Sequence, residues 1–449
     1  MTSPARERAS AARLLRRVVV ERRTTDQAMS GRDVTPLTQE LVLGCLRHWP
    51  SLEQRTLALL DKPLRKKDRD IELLMVVGVY QLAYLRIPDH AAINETVKAC
   101  RELGKPWATG LVNAVLRQVA RTAVRNDDDP AQSERSFEHP EWLESALRTQ
   151  YSDAEALMIA NNQRAPMALR INRLRSAPLA YEAQLTAAGL GFRRLAEVTG
   201  AVGPGPETVV LLEPVAARRL PGFAAGAVAV QDAGAQFAAP LLAEALAEAP
   251  TTLPGARVLD ACAAPGGKLF HLHECCPDLA LTALESRAER LQQMAEEARR
   301  LGHAEHLDLR EADATTLDWW DGAPYQAILL DAPCTGTGTL RRHPDIKLLR
   351  RAADVAEMAG LQARLLANLW RVLAPGGTLL YCTCSILAAE NDEVVDAFLA
   401  AHDDATAAPL ALTSGRAVRH GWQLLPTDPD TDGFYFSRLQ KARSDKATS

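Results

Sequence analysis

The sequence reads Arg257-Val258-Leu259-Asp260-Ala261-Cys262-Ala263-Ala264-Pro265-Gly266-Gly267-Lys268 in the second half of the chain. Its first four residues form a short apolar strand, and a run typical of a helix, Leu269 to Cys276, follows the loop. Two adjacent glycines let the loop backbone approach a ligand closely, as they do in nucleotide-binding turns. The stretch therefore predicts an open α/β sheet whose ligand lies beyond the carboxyl ends of the strands.

The strands that follow end on acidic side chains. Leu279 to Leu284 runs into Glu285, which occupies the position that holds ribose hydroxyls in nucleotide-binding sheets of this kind. Asp313 ends the next strand, where an acceptor could bind the amino group of an adenine. From Phe237 onward strands and helices alternate regularly, which predicts right-handed βαβ units in a parallel sheet.

Two later strands end on cysteines. The first runs into Asp331-Ala332-Pro333-Cys334, and the second into Tyr381-Cys382-Thr383-Cys384-Ser385. Because strand ends of an open sheet share one crevice, two thiols can meet at one ligand. A thiolate that attacks carbon 6 of a pyrimidine makes carbon 5 nucleophilic. Cys382 and Cys384 lie on one side of an ideal strand, so spacing alone does not choose between them.

Changes in hydrophobic periodicity, together with Pro, Gly and polar stretches between segments, predict three domains. Residues 1–128 form an all-α domain, because apolar positions recur at helical spacing, as at Ala12, Leu15 and Val19. Residues 129–235 contain a linker, further helices and a small α+β module, and residues 236–445 contain the parallel sheet. The module is predicted from strands at Leu169 to Asn172, Val209 to Leu212 and Ala227 to Val230, with a helix from Leu179 to Ala188.

The charge is unevenly distributed. The net charge is −4, yet the first 125 residues hold 22 Lys and Arg against 13 Asp and Glu. Clusters such as Arg16-Arg17, Arg22-Arg23 and Lys62 to Arg69 suit contact with the phosphates of a polyanion. The alternative is a set of ordinary solvated helix faces.

Cysteine usage and hydropathy favour a reducing cytoplasm. The eight cysteines show no paired spacing of a disulfide framework, no signal peptide opens the chain, and no apolar run approaches membrane length. We expect no metal site, because His271, His273, Cys275 and Cys276 lie on a predicted helix without zinc-finger spacing.

Three segments carry a family resemblance: Asp260 to Lys268, Asp331 to Lys347 and Thr383 to Ser385. They resemble the RsmB/Sun family of S-adenosylmethionine-dependent 16S ribosomal RNA (cytosine-C5) methyltransferases. The basic helical domain is similar to the antitermination factor NusB, which forms the amino-terminal domain of the bacterial members. The resemblance covers essentially the whole chain. It implies an all-α NusB-like domain, a small α+β module and a Rossmann-like class I methyltransferase domain.

The resemblance also implies residue roles. Cys384 is expected to attack carbon 6, and Cys334 to help release the product. A general base must also remove the carbon 5 proton, and the thiolate of Cys334, with Asp331 beside it as a further catalytic residue, is the expected agent. Glu285 departs from the family, since many relatives have Asp there, and Cys382 adds a thiol. The residues expected to bind S-adenosylmethionine are Cys262, Ala263, Ala264, Pro265, Gly266, Gly267, Lys268, Glu285, Asp313 and Asp331. Those expected to bind RNA phosphates, unless they are plain surface charges, are Arg341, Arg342 and Lys347.

The expected partner is ribosomal RNA, free or in an early small-subunit assembly intermediate, and the protein is expected to act as a monomer. One rival function is a non-catalytic, NusB-like RNA-binding or antitermination factor. Another is methylation of a different RNA, of DNA cytosine or of a nitrogen. Thr335 follows Cys334 where DNA cytosine enzymes have Gln, and Asp331 to Cys334 does not match the Asn-Pro-Pro-Tyr loop typical of amino-group methylation.

Overall fold

The computed structural model describes residues 3–32, 34–122, 137–195, 198–248 and 255–443. The chain divides into two compact units. Unit 1 comprises Met1–Arg164 and Leu340–Arg351, and unit 2 comprises Ala165–Thr339 and Ala352–Ser449. Most of the predicted linker lies outside the described residues. This division differs from the predicted domain boundaries, because residues 137–164 and 340–351 pack with the amino-terminal helices.

The helices are α1 (Pro4–Val19), α2 (Thr25–Met29), α3 (Pro36–Arg47), α4 (Trp49–Leu57), α5 (Arg69–Tyr84), α6 (Asp89–Glu102), α7 (Thr109–Thr122), α8 (Glu141–Gln150), α9 (Ala154–Asn161), α10 (Pro178–Ala187), α11 (Ala238–Glu248), α12 (Gly267–Cys275), α13 (Ala288–Leu301), α14 (Ile346–Leu349), α15 (Ala352–Val372) and α16 (Asp392–Ala401). The strands are β1 (Met167–Ile171), β2 (Phe192–Arg194), β3 (Thr208–Leu211), β4 (Val228–Val230), β5 (Arg257–Asp260), β6 (Ala280–Glu285), β7 (Leu307–Glu311), β8 (Tyr325–Asp331), β9 (Leu373–Thr383), β10 (Ala405–Ala408), β11 (Arg416–Ala417), β12 (Trp422–Leu424) and β13 (Phe434–Lys441).

Unit 1 is helical, as the apolar spacing predicts. Helix α1 begins after Ser3, whose side chain accepts a hydrogen bond from the Arg6 amide, and it buries Ala9, Ala12 and Leu15. Helix α5 is buried on nearly every side from residue 71 to residue 82, so it is the central helix of the unit. A helix that is apolar all round needs neighbours on all sides, and α1, α3, α4, α6 and α7 supply them.

The returning segment, Leu340–Arg351, is part of unit 1 although it is distant in sequence. The Asp345 carboxylate accepts hydrogen bonds from the Thr25 amide at 3.1 Å and the Thr25 hydroxyl at 2.9 Å. Arg22 donates to the carbonyl of Leu349 at 2.9 Å, and Arg47 donates to that of Arg341 at 3.1 Å. Polar groups of the segment are therefore satisfied by the amino-terminal helices.

Unit 2 contains the small module and the large sheet. The module is a four-stranded antiparallel sheet in the order β2-β3-β1-β4, with α10 between β1 and β2 in sequence. Its three predicted strands and its helix are confirmed. Strand β2 was not predicted, because Phe192-Arg193-Arg194 is short and carries two exposed arginines, without the alternation that marks a strand.

The large sheet runs β7-β6-β5-β8-β9-β13-β12-β11, and β10 pairs with β13. Strands β5 to β9 pair in parallel, as predicted, whereas β13 is inserted antiparallel to β9. The chain leaves β5 for β6 on one side and later returns to β8 on the other. This reversal of strand order opens a crevice at the carboxyl ends of β5 and β8, where such sheets bind their ligands. Among the described residues, no helix is long and apolar enough to span a membrane.

Candidate active site

The glycine loop after β5 closes with a sharp turn at Gly266. Gly266 has a φ of +98°, in the left-handed region, and α12 begins at the next residue. A Cβ atom at Gly266 would lie 2.3 Å from the Phe270 ring, so only glycine fits here. A Cβ atom at Gly267 would lie 3.2 Å from the amide nitrogen of the Gln231 side chain, which is a milder contact. The turn therefore depends on Gly266 more than on Gly267.

Three ionisable side chains, Asp260, Lys268 and Asp331, meet at the ends of β5 and β8. Lys268 donates to Oδ2 of Asp331 at 2.5 Å. Burial alone would lower the pKa of the Lys268 ammonium. The attraction of the Asp331 carboxylate is stronger than this effect, so the pKa of Lys268 lies above its usual value. Only 1% of Asp260 is exposed, and neither of its carboxyl oxygens has a hydrogen-bond partner among the described residues. Burial and the nearby Asp331 raise the pKa of Asp260 to about 8, although the positive charge of Lys268 opposes this shift.

A cavity of about 330 Å³ lies beside this cluster. Its volume is at the lower end of the range for small-molecule sites. Glu285 is buried at the end of β6, accepts a hydrogen bond from the Arg287 amide at 3.0 Å and pairs with Arg290 at 3.0 Å. Asp313 is exposed at the rim, where its carboxylate accepts from the Thr315 amide at 2.8 Å. Residues lining the cavity include Cys262, Glu285, Asp313, Pro333 and Leu365.

The two cysteine-bearing strand ends converge. Cys334 and Cys384 lie with their sulfur atoms 3.3 Å apart, and both are partly exposed. The hydrogen bond with Cys384 and burial raise the pKa of the Cys334 thiol well above its usual value. Cys334 therefore holds its proton near neutral pH.

The parallel register separates Cys382 from Cys384. Asp331 in β8 is the register partner of Cys382 in β9, so Cys382 lies inside the sheet and is fully buried. Its thiol is directed to Oδ1 of Asp331 at 3.6 Å. Cys384 follows the end of β9, beyond the ladder, and is the thiol that meets Cys334. Of the two thiols that spacing leaves open, Cys384 therefore lies against Cys334 and Cys382 lies against Asp331.

Arg170, in strand β1 of the module, supports the glycine loop and was not singled out from the sequence. It is fully buried and makes two 2.9 Å hydrogen bonds to the Glu274 carboxylate. It also donates to the carbonyl of Gly267 at 2.6 Å, at the start of α12. A buried charge of this kind is stable only when paired, so the module holds the loop in place. The local sequence gave one sign of this role, since Arg170 is a charged residue in the otherwise apolar strand β1.

The expected RNA-binding residues lie in the returning segment, and one of those predictions is wrong. Lys347 is 4% exposed, and its ammonium donates to the carbonyls of Arg47 and Glu138, each at 3.1 Å, and to the side chain of Asn162. All three donors are used inside unit 1, so Lys347 does not reach a phosphate. Arg341 is also buried, whereas Arg342 is only half-buried.

Glu207, His271 and Cys275 bring possible metal-ligand atoms within 4.8 Å of one another. His271 and Glu207 already form a 2.7 Å hydrogen bond that joins the module to α12. Burial raises the pKa of Cys275 to about 12, which disfavours the thiolate that a metal needs. Glu207 was not singled out from the sequence, and the geometry is that of a buried histidine–carboxylate pair.

Comparisons with known proteins match each part of the chain. Family models match residues 249–440 (16S rRNA methyltransferase RsmB/F), residues 5–121 (NusB family) and residues 139–203 (the ferredoxin-like domain of RsmF/B-like methyltransferases). Ribosomal RNA small subunit methyltransferase B of Pseudomonas putida is 45% identical over 411 residues, which cover 90% of each chain. The enzyme of that name from Xanthomonas campestris is 42% identical over 409 residues, covering 90% of this chain and 89% of its own.

The chain belongs to the RsmB/F family of 16S rRNA methyltransferases. The predicted family, its NusB-like amino-terminal domain and its methyltransferase class are thereby confirmed. Solved structures agree on the fold. A methyltransferase homologue from Pyrococcus horikoshii superposes with a TM-score of 0.55 at 26% identity, covering 67% of this chain and 99% of its own. The crystal structure of PH0851 covers 98% of this chain and all of its own, with a TM-score of 0.80 at 21% identity.

Proposed function

We propose that this RsmB/F family member transfers a methyl group from S-adenosylmethionine to carbon 5 of one cytosine in 16S ribosomal RNA, through a covalent adduct between Cys384 and carbon 6. One observation carries this proposal. Two thiols lie 3.3 Å apart at adjacent strand ends, and the cavity that Glu285 and Asp313 line lies at neighbouring ends of the same sheet. Carbon 5 chemistry needs both a nucleophile and a separate group that assists release.

The thiol pair divides the reaction into two steps. The Cys384 thiolate adds to carbon 6, which makes carbon 5 a nucleophile for the incoming methyl group. The Cys334 thiolate then takes the carbon 5 proton, the electron pair of that C–H bond restores the double bond between carbons 5 and 6, and the bond to Cys384 breaks, so that Cys384 leaves as a thiolate. Cys334 keeps its proton while Cys384 attacks, because its pKa is raised by that neighbour and by burial. Once Cys384 is bonded to the cytosine, Cys334 loses its hydrogen bond with the Cys384 thiol. Cys334 can then give up its own proton and assist product release.

The residues at the end of β5 fit S-adenosylmethionine. This cofactor supplies an electrophilic methyl group on a sulfonium centre and carries a cationic amino group. Asp260 offers two buried carboxyl oxygens that have no hydrogen-bond partner in the described part of the chain, which is costly unless a ligand pairs with them. In this proposal Glu285 binds the ribose hydroxyls and Asp313 binds the adenine amino group.

Cofactor binding should release a proton from Asp260. Free protein holds this carboxyl protonated at pH 7, because its pKa is about 8. A bound cation favours the carboxylate, so binding releases about one proton, and affinity rises as pH rises toward 8. Calorimetric titrations in phosphate and in Tris at pH 7 should therefore give different binding enthalpies. The Asp260→Asn variant should bind more weakly, with the same enthalpy in both buffers. Equal enthalpies for the wild-type protein would contradict this assignment.

The exposed basic residues of unit 1 are proposed to contact rRNA phosphates. Lys62, Arg65, Lys66 and Lys67 have exposed side chains in one short segment. Substituting Lys66 and Lys67 by alanine should weaken RNA binding and reduce the slope of log affinity against log salt by about 1.5, the sum of two lost phosphate contacts. Filter-binding titrations at several salt concentrations measure this slope.

The matched control removes two exposed arginines from unit 2, Arg299 and Arg371. It changes the net charge equally and should leave the slope unchanged. If both double variants reduced the slope of log affinity against log salt by the same amount, the basic segment of unit 1 would be an ordinary solvated surface.

Bisulfite mapping of 16S rRNA tests the proposed function in cells. A strain that lacks this protein should lose one unconverted cytosine, and the wild-type gene should restore it while a Cys384→Ala gene should not. The rival, a non-catalytic RNA-binding factor, predicts the same bisulfite pattern in all strains. Comparing free 16S rRNA with assembled small subunits in vitro distinguishes the two proposed forms of the substrate.

A further inference from the structure

Both cysteine loops depend on one buried carboxylate, that of Glu390. Glu390 lies between β9 and α16, is fully buried, and is not part of the cavity lining. Its Oε1 atom accepts a hydrogen bond from the Thr335 amide at 2.7 Å, and its Oε2 atom accepts from the Thr335 hydroxyl at 2.5 Å. Thr335 is the residue that follows Cys334, so the carboxylate fixes the backbone beside the first thiol.

The same carboxylate also fixes the loop of the second thiol. Oε2 of Glu390 accepts from the hydroxyl of Ser385 at 2.6 Å, and Ser385 follows Cys384. The Ser385 hydroxyl in turn contacts the Thr337 hydroxyl at 3.0 Å and accepts from the Leu387 amide at 3.1 Å. One side chain thus binds the residue after each cysteine.

Further contacts hold Glu390 itself in place. The Tyr381 hydroxyl donates to the main-chain carbonyl of Glu390 at 2.6 Å. Gln362 of α15 donates to the Pro333 carbonyl at 2.8 Å and approaches Oε1 of Glu390 at 3.5 Å. Burying a carboxylate is unfavourable unless donors surround it, and here the donors within 3.0 Å come from Thr335 and Ser385, the residues that follow the two cysteines. Its position and the positions of the thiol loops are therefore mutually dependent.

We propose that Glu390 is a positioning residue that sets the 3.3 Å separation of Cys334 and Cys384 by binding both of their loops. The inference rests on the proposed function, since it takes these two thiols as the reacting pair. Without the carboxylate the loops lose their shared acceptor, and the thiols separate. Reactions that need aligned groups lose about 100-fold in rate for a displacement of about 1 Å.

Two variants and one control test this proposal. Glu390→Ala removes the shared acceptor, while Glu390→Gln keeps its size and one carbonyl acceptor. Glu393→Ala removes an exposed carboxylate three residues further on and is the matched control. The first readout is bridging of the two thiols by dibromobimane, with the Cys334–Cys384 link identified by mass spectrometry. The second is the methylation rate at saturating substrates, and the third is the affinity for S-adenosylmethionine.

Glu390→Ala should slow bridging and lower the maximal methylation rate by about 100-fold, with cofactor affinity nearly unchanged. Glu390→Gln should recover part of both rates, and Glu393→Ala should match the wild-type protein. If Glu390→Ala loses cofactor affinity and fails to fold, Thr335→Val, which keeps the Thr335 amide bond to Glu390, should still slow bridging.

Wild-type bridging in Glu390→Ala, or in Thr335→Val when the alanine variant does not fold, would overturn the positioning role. Slow bridging with wild-type methylation would leave the positioning of the thiols intact and would instead overturn the roles given to them under the proposed function. The two failures are therefore distinguishable, because bridging needs neither RNA nor cofactor and does not depend on the roles given to the two thiols in methylation.

Discussion

Replacing Cys384 by alanine should abolish methylation and leave no covalent RNA adduct, while replacing Cys334 by alanine should trap one. Without the Cys384 thiolate, carbon 5 never becomes nucleophilic, so the rate should fall at least about 1,000-fold. Without Cys334, attack and methyl transfer proceed but release fails. A protein–RNA band stable in denaturing gels should therefore accumulate in Cys334→Ala alone. The double variant should form none.

The control for this experiment is Cys276→Ala, which removes a partly exposed thiol outside the pair. It should methylate like the wild-type protein. Cys382→Ala should likewise behave like the wild-type protein and accumulate no adduct, since Cys382 is buried in β9 against Asp331. An adduct that forms in Cys384→Ala and disappears when Cys334 is also removed would reverse the two roles.

Gly266→Val should lower the affinity for S-adenosylmethionine by about 100-fold or more. The φ of +98° is strained for any side chain, at about 1–3 kcal/mol, and the new Cβ atom would lie 2.3 Å from Phe270. The loop must therefore shift, and every 1.4 kcal/mol lost is a tenfold loss of affinity. Calorimetric titration measures the change.

The matched control is Gly322→Val, which places the same side chain at a φ of +86° where no atom lies within 4 Å of the new Cβ. It carries similar backbone strain without the clash and lies outside the glycine loop, between β7 and β8. Its cofactor affinity should be close to that of the wild-type protein. If the two variants bound the cofactor equally well, the glycine loop would not form the cofactor site.

Local sequence was sufficient to place the strand ends that build the site. Asp260, Asp331 and Cys384 each follow a short apolar run that ends in a loop, and a parallel sheet brings such ends together. The sequence could not separate Cys382 from Cys384, because both lie on one side of an ideal strand. The pairing of Asp331 with Cys382 decides this, and register is a long-range property.

Residues that act through distant partners were missed or misread. In the sequence Lys347 resembles a surface charge near other basic residues. In the structure it is buried, and the three groups that accept its hydrogen bonds belong to residues 185 to 300 positions away. Arg170 and Glu390 carry no motif of their own in a single sequence. Their roles follow from burial beside distant loops, because a buried charge must find partners wherever the fold provides them. Strand β13 was likewise not foreseen as antiparallel, since hydropathy does not report strand direction.

Tritium release from RNA labelled at carbon 5 of cytidine tests the central claim most directly. The purified protein is incubated with 16S rRNA transcribed from [5-³H]cytidine triphosphate and with S-adenosylmethionine that carries a ¹⁴C-methyl group. Methylation at carbon 5 removes the hydrogen there, so tritium should appear in water in an amount equal to the methyl groups gained by the RNA. Methyl incorporation without tritium release would place the methyl group on another atom and contradict the account.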